Sequence, residues 1–212
     1  MEQGVLAVHK NAKICLLRPS MVFMLMQTPD PTTLKDALPP LNDFTHIFMP
    51  INDNTNLETA EGGSHWTLLL VSLIDGVAFH YDSLRPSNYE PARLATKKLE
   101  QIVQKKLQFV DIEDTPQQDN GSDCGIYVCQ NMDILTRQKL LNTEKRTKID
   151  MSLGGSQWDA SNIRKNMVAV INDLRKEAVK LEEKHGSKSR SRSREPSAEP
   201  PRIGPGSNEA DS

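Results

Sequence analysis

The stretch from His65 to Leu73 constrains this chain more than any other. It is a near-continuous apolar run containing Trp66, Leu68, Leu69, Leu70 and Val71. Such a run reads as a β-strand buried on both faces rather than one with a wet side. Asp75-Gly76 follows as a tight hairpin turn signal, and Val77 to Asp82 as the returning strand. Thr45–Ile51, with Ile47, Phe48 and Met49, and Leu107–Ile112 read as further strands.

Helices are expected around these strands. Ser20 is placed to cap a helix over Met21–Gln27, stopped by Pro29, and Pro31–Leu38 forms another, ended by Pro39-Pro40. Ser87 or Asn88 caps the next, with Pro91 in its first turn and a stripe of Leu94, Ala95, Leu99, Ile102 and Val103. A core helix starts near Cys124, with Gly125, Val128, Cys129, Met132 and Leu135 at helical spacing. The last helix is expected from Asp159 to Lys184, with a stripe of Ile163, Met167, Val170, Ile171, Leu174, Ala178 and Leu181. Residues 1–17 carry only two short apolar stretches, Val5 to Val8 and Ile14 to Leu17.

Beyond His185 the composition shifts to Ser, Arg, Pro, Gly and Glu, which cannot offset its own ordering entropy. The expected organisation is one folded domain over residues 1–185 and a disordered tail over 186–212. The tail accounts for part of the low hydrophobic content, 37%. A formal net charge of −2 argues against a dedicated nucleic-acid binder. The Arg-Ser tract Ser187–Arg194 is too nearly balanced by acidic neighbours to bind nucleic acid by charge alone. No apolar run approaches the ~20 residues of a membrane helix. The three cysteines fit a reducing cytoplasm or nucleus better than a disulfide scaffold. Cys124-x4-Cys129 lacks a second ligand pair, so neither a metal nor another cofactor is expected.

The sharpest local signal is Gln117-Gln118-Asp119-Asn120-Gly121-Ser122-Asp123-Cys124-Gly125. At a helix start, unpaired backbone N–H groups and the helix dipole favour thiolate over thiol. The same N–H groups stabilise an oxyanion in acyl transfer. Alone, Cys124 would read as a buried packing residue. A nucleophile also needs a base and an orienter. Of the histidines, His65 follows a Gly-Gly loop and opens the apolar strand, where a side chain can face a cleft; His9, His46, His80 and His185 are less well placed. The hairpin returns Asp82 towards the His65 end, with a stagger of about three residues (~10 Å at strand rise) to be closed. Gln118, just before the cysteine, is a side-chain donor for an oxyanion.

His65-Trp66, Tyr81-Asp82-Ser83 and Pro116-Gln117-Gln118 through Cys124-Gly125 together resemble the sentrin/SUMO-specific protease family, over roughly residues 16–180. The stretches Ile51–Asn56, Gly62–Leu69 and Phe79–Ser83 look like its deneddylase branch. The resemblance implies an α+β, papain-like thiol protease fold, with a mixed sheet packed on a helix that begins at the catalytic cysteine. It implies cleavage after the C-terminal Gly-Gly of a ubiquitin-like modifier, first the neddylation modifier and second SUMO. Carried over by position, Cys124 is the nucleophile, His65 the general base, Asp82 its orienter and Gln118 the oxyanion donor. Trp66 roofs a narrow channel that only glycines thread, and Asn52–Gly63 is a candidate mobile lid. The family also carries a helix and a Trp-Leu-Asn-Asp motif upstream, which residues 1–17 do not reproduce; Leu41-Asn42-Asp43 directly precedes the Thr45 strand, the wrong place. The N-terminal part is therefore expected to be shortened. Two other readings stay open: a chain that binds a modifier without cutting it, and an RNA-associated protein using its Arg-Ser tail.

Overall fold

A computed structural model of the chain describes residues 5–9, 11–58, 62–141, 149–154 and 158–192, with side chains to residue 182 in the last helix. Five strands form one mixed sheet in the order β1-β2-β3-β4-β5. They are β1 (Ile14–Leu16), β2 (His46–Asn52), β3 (Trp66–Ser72), β4 (Val77–Tyr81) and β5 (Gln108–Asp111). β2, β3 and β4 run antiparallel to one another, while β1 and β5 close the two edges in parallel. The turn into β4 uses Gly76 at φ 68°, a conformation that glycine adopts without steric cost.

The apolar run is the central strand. Leu69 and Val71 point into a core shared with Leu25 of α1 (Pro19–Gln27) and Leu99 of α2 (Tyr89–Val103). Leu68 and Leu70 point to the opposite core, with Val128 of α3 (Cys124–Ile134) and Leu135, where the helix continues as a wider turn to Leu140. Side chains alternate across a strand, so only helices on both faces can bury a run without polar gaps. The architecture is thus α+β, a mixed sheet covered on both faces, with the helix that begins at Cys124 on one of them.

Several local expectations are corrected. Arg18, not Ser20, stands at the cap of α1 because Pro19, whose φ suits a first helical turn, already starts the helix. Pro31–Leu34 is a short 3-10 turn rather than a helix to Leu38; the Asp30 carboxylate accepts the Thr32 N–H at 3.0 Å and fixes that tight start. Leu94 of α2 is 41% exposed, and Ala92 and Thr96 take the buried face with Ala95, Leu99, Ile102 and Val103. In α3 the buried face is Cys124, Tyr127, Val128 and Asn131, and Cys129 is exposed. One helical step of about 100° beyond Val128 carries Cys129 past the packed stripe. Strand β1 arises from the weakly signalled stretch Ile14–Leu17, recruited by pairing Ile14 with His46.

The chain divides into two compact units, Met1–Arg164 and Lys165–Ser212. The final helix, α4, spans Ala160–Arg192 and so runs past the helix end expected at Lys184. No proline interrupts the sequence until Pro196, and Lys, Arg and Ser are compatible with a helix. The rest of the expected tail, 193–212, lies outside the described residues. Val170, Ile171, Leu174 and Leu181 of α4 are exposed; helical spacing specifies an apolar face, not what covers it.

Candidate active site

The register of the central hairpin explains how His65 and Asp82 meet. Leu68 pairs with Tyr81, so one residue further along Thr67 lies opposite Asp82. His65 is two residues before Thr67 and on the same face, which makes it a diagonal neighbour of Asp82. The stagger is smaller than the sequence arithmetic allows for, and the imidazole spans it without a bulge. Nε2 of His65 meets Oδ1 of Asp82 at 2.7 Å, with the two residues 3% and 0% exposed.

Both oxygens of Asp82 and both backbone polar groups of His65 are held by neighbouring residues. Asp82 Oδ1 also accepts the Leu84 N–H at 2.8 Å, and Oδ2 accepts the Asn88 N–H at 3.2 Å. Burial pushes the Asp82 carboxyl up, but the hydrogen bonds from His65, Leu84 and Asn88 outweigh it and hold it below the usual carboxylate range. Asn88 stands at the α2 cap position without capping; its Nδ2 instead donates to the His65 carbonyl at 3.0 Å, as Asn52 Nδ2 does at 3.2 Å. The Asp53 carboxylate accepts the Ser64 and His65 N–H groups at 2.7 and 3.1 Å. Burial acts against it, but these bonds and the Ser64 hydroxyl hold Asp53 low as well. Gly63 adopts φ +84°, and a Cβ there would collide with Asn52 and Asp53. The loop expected to act as a lid is thus tied at both described ends; residues 59–61 lie outside the described residues.

Gln118 is joined to the same segment. Its backbone N–H donates to the Ser83 carbonyl at 2.8 Å, and its Oε1 accepts the Ser83 hydroxyl at 2.7 Å. Its Nε2 donates to the Asn120 carbonyl at 2.6 Å. Gln117 adds a clamp, donating from Nε2 to the Asp82 carbonyl at 2.8 Å and accepting the Arg85 N–H at 3.1 Å. Asn120 Oδ1 accepts the Ser122 and Asp123 N–H groups, which folds the loop into the turn before α3. Asp123 spends its carboxylate on Asn120 and Arg164, which hold it below the usual range.

Cys124 is the first residue of α3, 8% exposed. A Cβ added at Gly121 or Gly125 would meet nothing within 4 Å, so open space flanks the cysteine on both sides of the sequence. The structure brings together His65, Asp82 and, through Ser83, Gln118. Among the described residues no hydrogen bond joins Cys124 to His65; such contacts are often loose before substrate is bound. Trp66 opens β3, half-buried against the core beneath α3. His46 is buried at the start of β2, and His80 is engaged by Asp111 at 2.8 Å and Thr67 at 3.1 Å. The His80 hydrogen bond, and after it Arg85, hold Asp111 below the usual carboxylate range against its burial. Among the described residues no cluster of three or more His, Cys, Asp or Glu side chains is placed to hold a metal ion.

Sequence reasoning missed Asn88, Ser83 and Gln117 as parts of the site. Asn88 carried only a helix-cap signal, and the other two were visible only as neighbours of Asp82 and Gln118.

Residues 9–178 match the family described as Ulp1 protease family, C-terminal catalytic domain. The chain is 42% identical over 167 residues to NEDD8-specific protease 2 of Schizosaccharomyces pombe, covering 78% of this chain but only 40% of that protein. It is 34% identical over 190 residues to NEDD8-specific protease 1 of Arabidopsis thaliana, covering 86% of this chain and 78% of the relative. Among solved structures, the Xanthomonas campestris effector XopD bound to ubiquitin superposes with a TM-score of 0.53 at 23% identity, over 74% of this chain and 78% of that one, a likeness of fold.

Proposed function

Because this chain belongs to the Ulp1 protease family, we propose that it is a cysteine protease that cleaves after the C-terminal glycine of a ubiquitin-like modifier, the neddylation modifier first. The observation that carries the reading is the joining of base and oxyanion donor on one backbone segment. Asp82 holds the His65 ring, and the next residue, Ser83, holds Gln118 in the loop that leads to Cys124. The names of the two NEDD8-specific relatives support the choice of modifier.

In this mechanism His65 takes the Cys124 thiol proton as Sγ attacks the glycine carbonyl. The electron pair moves to the carbonyl oxygen, where the Gln118 Nε2–H and the free N–H groups at the start of α3 stabilise it. Collapse of the tetrahedral intermediate expels the lysine or peptide amine, which takes its proton from His65, and leaves a thioester on Cys124. His65 then accepts a proton from water as that water attacks the thioester; the modifier leaves with a free carboxylate and Cys124 is regenerated. Asp82 keeps the imidazole oriented throughout. Trp66, at the mouth of β3, narrows the approach to the glycines.

The test is hydrolysis of C-terminal fluorogenic derivatives of the neddylation modifier, SUMO and ubiquitin by the full chain, with Cys124→Ala alongside. Selective turnover of the first, abolished in Cys124→Ala, is the expected result. Turnover that survives Cys124→Ala, or none of any derivative by the folded chain, overturns the reading.

A further inference from the structure

Resting on the protease reading above, we infer that Ser83 is a positioning residue that sets the Gln118 amide for the oxyanion. A glutamine amide has two ends of similar shape and opposite polarity, and only its NH2 end can serve a developing negative charge. Here both ends are assigned. The Ser83 hydroxyl, in a residue 2% exposed, donates to Oε1 at 2.7 Å. One hydrogen of Nε2 goes to the Asn120 carbonyl at 2.6 Å, which leaves the other free. Turning the amide over would set Oε1 against that carbonyl, acceptor against acceptor. The carbonyl therefore excludes the wrong orientation, and the Ser83 hydroxyl anchors the right one.

The main chain doubles the tie, because the Gln118 N–H donates to the Ser83 carbonyl at 2.8 Å. Without the hydroxyl, Oε1 is a buried acceptor lacking its donor, and the amide must swing to find another, carrying the free N–H with it. Ser83 follows Asp82 directly, so a single dipeptide orients the base through one residue and the oxyanion donor through the other. The sequence Asp-Ser thereby acquires a role for its second member that a turn-forming serine would not have.

The experiment compares Ser83→Ala, Ser83→Thr, Gln118→Ala and the double variant Ser83→Ala/Gln118→Ala on the fluorogenic modifier derivative. Ser83→Ala is expected to lower kcat roughly tenfold to a hundredfold, short of the ~10²–10³ of losing an oxyanion donor outright, with KM changed less than about threefold. Ser83→Thr, which keeps the hydroxyl, recovers most of the rate. In the Gln118→Ala background Ser83→Ala costs nothing further, because the two act as one unit. Alkylation of Cys124 by iodoacetamide forms no oxyanion, so its rate stays within about twofold of wild type. Should Ser83→Ala not fold, Ser83→Cys, with a weaker donor at the same place, carries the same expected split. Wild-type turnover with an unimpaired Ser83→Ala, additive losses in the double variant, or a parallel fall in alkylation each overturn this inference alone. A wild-type chain without turnover overturns the protease reading and this inference with it.

Discussion

Replacing Asp82 by asparagine changes almost no volume and reverses the polarity of one atom, which makes it the sharpest probe of the base. In the native site Oδ1 accepts from His65 Nε2 and the Leu84 N–H, and Oδ2 accepts from the Asn88 N–H. An asparagine that keeps its oxygen towards His65 and Leu84 turns its NH2 onto the Asn88 N–H, donor against donor. The opposite orientation keeps the Asn88 bond and donates to His65 Nε2 by forcing the ring proton onto Nδ1, leaving the Leu84 N–H without its acceptor. Either way one buried backbone donor is stranded, at about 1–3 kcal/mol. The two surviving bonds lose their charge assistance and roughly half their strength. Together these predict that Asp82→Asn destabilises the fold by about 2–4 kcal/mol in urea unfolding at neutral pH. It also loses the charge that faces the His65 ring, so kcat falls by ~10²–10⁴, the range of a general acid–base contribution.

The same carboxyl gives a pH signature. Asp82 titrates below the usual carboxylate range when folded and at about 3.9 when unfolded. Its contribution is therefore complete above that unfolded value. As pH falls towards the folded value, the unfolded chain binds a proton that the native state refuses, and stability declines. Asp82→Asn removes this slope, so the variant loses stability less steeply than wild type as pH falls below about 4. A variant within about 0.5 kcal/mol of wild type, with the same acid slope and an unchanged kcat, would refute the reasoning.

Two further perturbations test the packing around the site. The Tyr81 hydroxyl, buried with its phenol pushed far up by burial, donates to the Met151 carbonyl at 2.9 Å; Tyr81→Phe is expected to cost about 1–2 kcal/mol, and an unchanged thermal midpoint would show the bond to be dispensable. Leu70 is fully buried between β3 and α3; Leu70→Ala is expected to cost about 2–5 kcal/mol in urea unfolding, and a loss below about 1 kcal/mol would show that this face of the sheet is not tightly packed.

Local sequence was enough to read the central hairpin, the helix that starts at Cys124 and the candidates for the site. These are local matters. An unbroken apolar run, a Gly in a turn and a Cys before an apolar helical stripe each declare themselves within a few residues, because alternation and helical period are short-range properties. Tertiary structure alone decided how the residues are joined. The His65–Asp82 contact spans 17 positions and the Ser83–Gln118 contact 35. Each depends on a cross-strand register and on a loop docked from another part of the chain. Asn88 shows the difference most plainly: as a sequence signal it was a helix cap, yet the folded chain sets the His65 carbonyl 3.0 Å from its side chain. Hydrogen-bonding groups are satisfied by whatever packing brings near once water is excluded, and a partner that arrives from a distant segment leaves no trace in the local pattern.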